Sequence, residues 1–460
     1  MAHTLHIFHS NDLHSHFDLW ERQVSYYLNR KQELLAQGQS VLHLDLGDFA
    51  DRVHPLIEAT ESAIAGSLLE EAQVDMITIG NNEGLGNSPQ QLVNIYKNVN
   101  FEVCLANMKY LESQQLLSFA KPYILKEIAG CKLAFIGLTS PFPASYLPNG
   151  WLVEDYQDVL PQILEEVKEQ ADTIILLSHL GICDDRKIAE EFPEISVILG
   201  AHTHHVFEHG EWVGETLLTG GGKFGQYLGE LTLTIDNGQV IDTVEVLHSV
   251  QDLPATGREL SRSSQLFNDG KDMLKRQTIA LLPKDFKKDW RQDNQMVQLA
   301  LAAITDFSDI PIGVLSTGLF LADFHKGLLT RNELHEGLPH PMHLNTCTLK
   351  GADFYQLIKN FERQQDSLKD LPIKGNGFRG QVFGRLVYRG IEVLPREDDI
   401  RILGQSLVEA NEYTFVSVDH LRFVRFFSQI EEAGVNQILY PYFFRDIVGM
   451  YLQNQWGKPN

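Results

Sequence analysis

The sequence predicts an α/β domain with a mainly parallel sheet, followed by a smaller α+β domain. Apolar strand-like runs alternate with amphipathic helical segments through residues 1–250, which is the rhythm of βαβ units. The rhythm stops in a polar stretch, residues 251–290, which we interpret as a linker or connecting helix. In residues 291–460 helices and strands mix without regular alternation, as expected of an α+β domain.

The elements of the first domain follow from periodicity and turn residues. The pattern predicts strands at residues 5–10, 41–46, 74–79, 172–177 and 195–199, with helices at 19–37, 57–72 and from Ser88. Ser88 and Pro89 form a helix cap followed by proline at the first helical position. Two antiparallel hairpins are predicted, one at 121–139 around Ala129-Gly130 and one at 228–247 around the turn 236–239.

The second domain is predicted from a shorter series of elements. A helix starts at Asn294, a strand covers 310–315 and a second helix covers 353–361. Further strands are expected near 381–388 and 413–418. No internal repeat interrupts this series, and no sequence feature indicates an oligomeric state.

Charge and composition restrict the partners of the protein. The formal net charge is −23, which repels nucleic acid polymers and anionic membrane surfaces. A small phosphate compound remains a suitable substrate, because bound divalent cations reverse the local field. No apolar run approaches the roughly 18 residues of a membrane span, and no leader-like segment opens the sequence, so we expect a cytoplasmic protein. The four cysteines lack CxxC spacing and are expected to be buried small hydrophobes.

Five predicted strands are each followed by side chains that can bind a metal ion. These residues are Asp12, His14, Asp48, Asn81, His179, His202 and His204. The carboxyl ends of parallel strands meet at one edge of an α/β sheet, so these side chains should lie close together. If one carboxylate bridges, two metals receive four protein ligands each, as in two-metal hydrolytic sites. The nitrogen and oxygen donors suit Mn, Zn, Fe or Co.

The order of these motifs resembles that of the calcineurin-like metallophosphoesterases: D-x-H, G-D, G-N-x-E, a single H and G-H-x-H. The stretches HSNDLH and TGGGKFGQYLGELTLTI are similar to those of the two-domain 5′-nucleotidase and UDP-sugar hydrolase branch. The resemblance covers residues 3–250 closely and residues 290–450 only loosely. It implies a four-layer sandwich domain followed by a nucleotidase-type C-terminal domain.

The resemblance also implies roles for the motif residues. It assigns one metal to Asp12, His14 and His204, the other to Asn81, His179 and His202, and a bridging position to Asp48. In such enzymes the metals polarise phosphoryl oxygens and generate a hydroxide that attacks phosphorus in line. The implied activity is hydrolysis of phosphoric ester or anhydride bonds in nucleotides or related small phosphate compounds.

Asn82 departs from the family pattern, because it stands where G-N-H-E has a histidine that assists the leaving oxygen. Asparagine can donate a hydrogen bond but supplies no titrating proton. Four interpretations remain open: a preference for good leaving groups such as anhydrides, substitution by His16 or His205, weak catalysis in a protein that chiefly binds, or monoester hydrolysis without the histidine. For His16 and His205 the alternative is a supporting or exposed position.

The second domain departs further from the family. No arginine occurs in residues 292–330, where relatives carry an arginine motif. The stretch GFRGQVFG at 377–384 resembles the family's aromatic loop. Phe378 or Phe383 could stack on a base and Arg379 could bind an anion, whereas the alternative for both phenylalanines is core packing.

Two other stretches are interpreted structurally. Residues 220–223 read GGGK but lack the GxxxxGK[ST] form, so they predict a turn at a strand edge rather than a phosphate loop. Residues 440–444 lack the family's Gly-Asp-Gly and predict core packing. A dehydrogenase is disfavoured because no GxGxxG follows the first strand. Two hypotheses follow: a dinuclear metal-dependent phosphoesterase, or a nucleotide-binding sensor or scaffold with vestigial catalysis.

Overall fold

The chain divides into two compact units, Met1–Gly270 and Lys271–Asn460. The computed structural model describes residues 2–375, 377–394 and 399–457. The division lies inside the segment 251–290 that the sequence predicts as a linker or connecting helix. A helix does cross it, and no described helix is long and apolar enough to span a membrane.

The first unit contains most of the strands. They are β1 (His3–Ser10), β2 (Ser40–Asp45), β3 (Met76–Ile77), β4 (Glu102–Cys104), β5 (Met108–Tyr110), β6 (Ala120–Lys121), β7 (Tyr123–Ile128), β8 (Cys131–Thr139), β9 (Trp151–Val153), β10 (Thr173–His179), β11 (Ile195–Gly200), β12 (Glu211–Val213), β13 (Thr216–Gly220), β14 (Tyr227–Asp236) and β15 (Gln239–Ser249). Its helices are α1 (Trp20–Ala36), α2 (Pro55–Ala59), α3 (Ile64–Glu71), α4 (Asn81–Leu85), α5 (Pro89–Tyr96), α6 (Pro143–Tyr146), α7 (Tyr156–Val167), α8 (Ile182–Glu191) and α9 (Glu259–Lys275), the last of which crosses the division.

Two large sheets carry the core of this unit. One has the strand order β15-β14-β1-β2-β3-β4-β6 and the other has the order β12-β13-β11-β10-β8-β7. The central strands of both are parallel. Antiparallel strands border the first sheet on one side, at β14 and β15, and the second sheet on both sides, at β12 and β7. One buried cluster combines Leu5 and Ile7 of β1 with Phe135 of β8 and Ile175 of β10. The two sheets therefore share an apolar interface that excludes water, which is the main source of stability in such a fold.

The second unit is a mixture of helices and mainly antiparallel strands. Its strands are β16 (Thr278–Leu282), β17 (Gly313–Ser316), β18 (Gly327–Thr330), β19 (His343–Lys350), β20 (Leu386–Arg389), β21 (Ile391–Leu394), β22 (Asp399–Ile402), β23 (Gln405–Ser406), β24 (Glu412–Val418) and β25 (Val435–Phe443). Its helices are α10 (Gln295–Ser308), α11 (Arg331–Gly337), α12 (Gly351–Leu368), α13 (His420–Phe423), α14 (Gln429–Glu432) and α15 (Phe444–Trp456). The largest sheet has the order β20-β17-β24-β19-β25.

The predicted fold class, α/β followed by α+β, is confirmed, but some element boundaries were wrong. The helix expected at 57–72 is broken, because Glu61 and Ser62 adopt φ of +49° and +65°. The strand expected at 381–388 is present only at its end, in β20. Among the cysteines, Cys183 is exposed, contrary to expectation, whereas the other three are buried.

Candidate metal centre

The seven predicted metal-binding residues all belong to the first unit and lie at or just beyond the carboxyl ends of strands. Asp12 and His14 follow β1, and Asp48 follows β2. Asn81 begins α4 soon after β3, His179 ends β10, and His202 and His204 follow β11. Both large sheets therefore contribute to the site, since β1, β2 and β3 belong to one and β10 and β11 to the other.

The first group of ligand atoms surrounds Asp12. Its Oδ1 lies 3.3 Å from Nε2 of His204 and 3.6 Å from Nε2 of His14. The two imidazole nitrogens are 3.4 Å apart. The ligand atoms of these three residues are close enough to bind one cation, with nitrogen and oxygen donors that suit a transition metal or zinc.

The second group consists of Asp48, His179 and His202. Oδ1 of Asp48 lies 3.4 Å from Nε2 of His179, and the rings of His179 and His202 are 5.3 Å apart between centroids. The other carboxylate oxygen of Asp48 lies 3.8 Å from Nε2 of His14. Asp48 thus lies between the two groups and has one oxygen facing each.

Three buried atoms in this region suit a metal ion because they have no hydrogen-bond partner among the described residues. They are Oδ1 of Asp12, Oδ1 of Asn81 and Nε2 of His179. Buried polar atoms are normally satisfied, and an unsatisfied one costs stability. The side chains present therefore fit divalent cations at this site.

The tautomer of His179 is set by the backbone. Its Nδ1 lies 2.6 Å from the carbonyl oxygen of Leu46, to which it donates a hydrogen bond. In the neutral ring, a proton on Nδ1 leaves a lone pair on Nε2, the atom that faces Asp48. A cation bound at Nε2 would take the place of the second proton that the Asp48 charge otherwise favours. Such a backbone contact orients the ring of a ligating histidine.

The electrostatics of the two groups are dominated by burial and by contacts between histidines and carboxylates. Burial raises the pKa of Asp12, but the nearby imidazoles of His14 and His204 outweigh it and hold the pKa below its usual value. Burial lowers the pKa of His179, yet the Asp48 carboxylate more than compensates and raises it to about 10. Burial lowers the pKa of His202 to about 4. Burial likewise raises the pKa of Asp48, but the charge of His179 outweighs it and the pKa lies below its usual value. The two carboxylates therefore stay ionised at neutral pH and keep a negative field.

The backbone at the centre is held in a conformation that is rare for L-residues. Asp12, His14 and Asp48 have φ of +49°, +47° and +53°, and His202 and His204 have φ of +71° and +59°. Each residue in this left-handed region costs roughly 1–2 kcal/mol. Strained residues of this kind cluster where their side chains are used in binding or catalysis.

Glu83 supports the centre, and the sequence reasoning assigned it no role. Its buried carboxylate accepts hydrogen bonds from the backbone N–H groups of Asp48, Ala50 and Gly80 at 2.9, 3.0 and 3.1 Å. Burial and then the Asp48 charge raise its pKa to about 7. The signal available in the sequence was the position of Glu83 three residues after Gly80, which is that of a capping-box glutamate.

Comparison with known proteins identifies the family. A family model described as calcineurin-like phosphoesterase matches residues 5–206. The uncharacterized metallophosphoesterase YunD of Bacillus subtilis is 32% identical to this chain, and the alignment covers 98% of this chain and 100% of YunD. The chain belongs to the calcineurin-like metallophosphoesterase family.

Nucleotidases are among the similar proteins. A 5′-nucleotidase of Diplobatis ommata is 25% identical over 60% of this chain and 55% of its own length. The solved structure of a putative 5′-nucleotidase from Staphylococcus aureus superposes with a TM-score of 0.67 and 17% identity. The superposition covers 99% of this chain and 98% of the nucleotidase chain, which shows a shared fold. The metallophosphoesterase is accordingly a divalent-metal-dependent hydrolase that acts on phosphoric ester bonds.

Asn82 of the metallophosphoesterase contacts both groups of ligand atoms. Its side-chain amide lies 2.9 Å from Nδ1 of His14, and its backbone N–H donates to Oδ1 of Asp48 at 2.7 Å. His16 is exposed and its ring lies 3.8 Å from that of Phe224. His205 is also exposed, with Nδ1 3.0 Å from the hydroxyl of Thr203. Asn82 therefore has the more direct contact with the centre.

The residues predicted to bind substrate lie in the second unit. Phe378 and Phe383 are 3% and 0% exposed and belong to its apolar core. The ring of Phe378 stacks with those of His340 and His420, whose centroids lie 5.2 Å from its own. A ring that is 3% exposed could receive a nucleobase only after a neighbouring side chain had moved. This burial favours the core-packing alternative for the two phenylalanines.

Arg379 lies beside that stack. Its backbone N–H donates to Nδ1 of His340 at 2.9 Å, and its guanidinium donates to the carbonyl of Phe378 at 3.3 Å. In the stretch 440–444, Phe443 and Phe444 are buried as expected, but Tyr442 is 45% exposed. The stretch 220–223 ends β13 and leads into a turn, as predicted.

Proposed function

We propose that the protein is a dinuclear metal-dependent phosphoesterase that hydrolyses nucleotides or related small phosphate compounds. The position of Asp48 carries this proposal. Its two oxygens lie 3.4 Å from Nε2 of His179 and 3.8 Å from Nε2 of His14, so one carboxylate faces both groups of ligand atoms. A carboxylate shared by two cations is a usual feature of two-metal hydrolytic sites.

The residues of the centre would have separate roles in metal binding and in positioning. One cation would be held by Asp12, His14 and His204, the other by Asn81, His179 and His202, with Asp48 between them. Bound divalent ions would supply Lewis-acid polarisation of phosphoryl oxygens and a more acidic water. The Leu46 carbonyl orients His179 and Glu83 holds the backbone of Asp48. Asn82, which contacts His14 and Asp48, would hydrogen-bond a substrate oxygen.

The nucleotide class of substrate is supported by relatives and by charge. Proteins named 5′-nucleotidase are among the similar sequences and folds. The net charge of −23 disfavours polymers with many phosphates but does not prevent binding of a small phosphate at a cationic centre. Since Asn82 supplies no titrating proton, we expect a preference for substrates with good leaving groups, such as anhydrides and activated diesters. The cytoplasmic location stays a prediction from the sequence.

A nucleotide-binding sensor with vestigial catalysis is the second candidate, and Asn82 favours it because the family histidine is missing. Such a protein would bind nucleotides in the presence of metal yet hydrolyse none of them. Substrate and binding assays on one preparation distinguish the two functions.

The decisive experiment combines metal content with turnover. Protein loaded with Mn²⁺ should retain two ions per chain by elemental analysis, and Asp48→Asn should retain fewer. Asp158→Asn, an exposed carboxylate of α7, is the matched control and should retain both ions. Hydrolysis products of nucleoside monophosphates, cyclic nucleotides, dinucleotides and nucleotide sugars are separated by chromatography, and at least one member of the panel should be hydrolysed. Monoesters would give orthophosphate, whereas diesters and anhydrides would give phosphomonoesters. Unchanged occupancy in Asp48→Asn, or no hydrolysis of any member of the panel, would count against the enzyme.

A further inference from the structure

A short turn beside the metal centre is tied directly to a metal-binding segment. This turn, residues 222–225, is called the rim loop below. The amide nitrogen of Asn11 donates both to the carbonyl of Gly222 at 2.8 Å and to the carboxylate of Asp12 at 2.7 Å. The backbone N–H of Phe224 donates to the carbonyl of Asp12 at 2.8 Å. The rim loop therefore has a fixed position relative to the first group of ligand atoms.

Phe224 forms an aromatic contact between the rim loop and the centre. Its ring centroid lies 3.8 Å from that of His16 and 5.9 Å from that of His14. Its φ of +60° is a left-handed conformation that an aromatic residue rarely adopts, and such strain is found mainly at functional sites. Phe224 is only partly buried, so it borders the centre rather than a closed core.

Lys223 places a positive charge at the same border. Its Nζ lies 4.7 Å from the centroid of the Phe224 ring. In the part of the chain that the structure describes, no carboxylate lies within 4.0 Å of this ammonium group, although the chain has 61 acidic and 38 basic residues. The side chain is partly exposed, and a lysine stem is flexible enough to move its ammonium group from a ring face to an anion.

We propose that Lys223 binds a second anionic group of the substrate, a phosphoryl or carboxylate group next to the phosphate that is hydrolysed. The inference rests on the proposed function. The second unit has no arginine in residues 292–330 to bind such a group. An ammonium group without an ion pair, on a loop anchored to Asp12, offers a charge-assisted hydrogen bond without first breaking a salt bridge. Lys223 is thus a specificity-determining residue for substrates with two neighbouring anionic groups.

Matched ligands test this subsite. We compare binding of methylphosphonate, phosphonoacetate and methylenediphosphonate to the Mn²⁺-loaded protein at a fixed free Mn²⁺ concentration. The first has one anionic group, the second adds a carboxylate and the third adds a phosphoryl group. Lys223→Met keeps an aliphatic side chain against Phe224 but removes the charge, and Lys223→Arg keeps the charge. Lys132→Met, at the exposed start of β8, is the control.

The expected result is selective. Lys223→Met should weaken binding of phosphonoacetate, methylenediphosphonate or both roughly tenfold, as expected for a lost hydrogen bond to a charged group. It should change the affinity for methylphosphonate, which has a single anionic group, less than about twofold. Lys223→Arg should restore most of the affinity, and Lys132→Met should change nothing. A response of phosphonoacetate alone identifies the second group as a carboxylate, a response of methylenediphosphonate alone identifies it as a phosphoryl group, and a response of both shows that Lys223 accepts either. Equal weakening of all three ligands, or of none, would overturn the proposal.

Hydrolysis of p-nitrophenyl phosphate by the same samples separates this proposal from the proposed function. If the wild type turns over p-nitrophenyl phosphate but Lys223→Met binds all three probes with unchanged affinity, the subsite is rejected and the proposed enzymatic function is retained. Binding that depends on Lys223 without turnover on any substrate would support the subsite and reject the enzyme.

Discussion

The side-chain amide of Asn82 lies 2.9 Å from Nδ1 of His14, the ring nitrogen opposite the one that faces Asp12 and His204. An imidazole that binds a metal through one nitrogen is oriented by a hydrogen bond at the other. The Asn82 atom that faces Nδ1 is the amide nitrogen Nδ2, which donates to the ring. A cation on Nε2 would require the proton on Nδ1, and a half-turn of the amide would then let the Asn82 oxygen accept it. Asn82 is therefore placed to orient His14, although it cannot donate a titrating proton.

Removal of this contact should weaken metal binding. In Asn82→Ala, His14 loses the partner of Nδ1, and we expect the affinity of the weaker-bound Mn²⁺ to fall about tenfold. Titration against a competing chelator measures this affinity. Asn94→Ala, on the surface of α5, is the control and should bind Mn²⁺ like the wild type. Identical affinities in the two variants would show that Asn82 does not position His14.

Introduction of the family histidine should change leaving-group dependence. General acid catalysis typically contributes about 10²–10⁴-fold, and it matters most for poor leaving groups. We therefore expect Asn82→His to raise kcat for alkyl phosphates at least tenfold relative to kcat for p-nitrophenyl phosphate. Steady-state kinetics with both substrates measure the ratio. A proportional change with both substrates would mean that protonation of the leaving group does not limit the wild type.

Gly47 should be essential for folding of the centre. Its φ is +88°, and a Cβ atom there would lie 2.3 Å from the backbone nitrogen of Gly80. Gly38 has φ of +75° but no atom within 4 Å of the equivalent position. Gly38→Ala should therefore cost only about 1 kcal/mol of unfolding free energy, from its backbone conformation. Gly47→Ala should cost at least about 3 kcal/mol, because backbone must move as well.

Urea unfolding of the two glycine variants, followed by circular dichroism, gives these free energies. Equal losses would show that the close approach between Gly47 and Gly80 is easily relaxed.

Phe378 should contribute to stability rather than to substrate affinity. It is 3% exposed and stacked with two imidazoles, so Phe378→Ala should lower the unfolding free energy by about 3–5 kcal/mol. Phe307→Ala, at a position that is 41% exposed, should cost less than about 1 kcal/mol. Unfolding curves and KM for the best nucleotide substrate are measured together. A raised KM without loss of stability would instead support base stacking on Phe378.

Glu230 should make stability depend on acid pH. Burial raises the pKa of its carboxylate, but hydrogen bonds from His248 and His6, at 2.7 and 2.8 Å, outweigh burial and lower the pKa to about 2, against a usual 4.5. The ionised carboxylate thus stabilises the fold above pH 4.5, and this contribution is lost as pH falls toward 2. From about pH 5.5 to pH 3 the wild type should lose about 2 kcal/mol more than Glu230→Gln.

Urea unfolding at both pH values measures the effect of Glu230, with Glu127→Gln at an exposed position of β7 as the control. The same pH slope in wild type and Glu230→Gln would contradict the prediction.

The fold was largely predictable because its signals are local. Alternation of apolar runs and helical patterns located β1, β2, β10 and β11, and turn residues located the hairpins β7–β8 and β14–β15. The break between α2 and α3 was missed, since the left-handed conformation of Glu61 and Ser62 has no marker such as glycine or proline. The strand expected at 381–388 was predicted too long, since β20 begins only at Leu386. The apolar residues before it lie in a buried loop, and their pattern does not distinguish a buried loop from a strand.

The sequence by itself determined the α/β class, the family resemblance and the residues after each strand that can bind metal, because strand periodicity and motif order are properties of the chain alone. Only the tertiary structure decided that Asp48 faces both histidine groups, that Asn82 contacts His14, that Glu83 holds three backbone groups and that Phe378 is enclosed. These relationships join residues from different strands and loops. Their distances depend on how the elements pack, which no local pattern encodes.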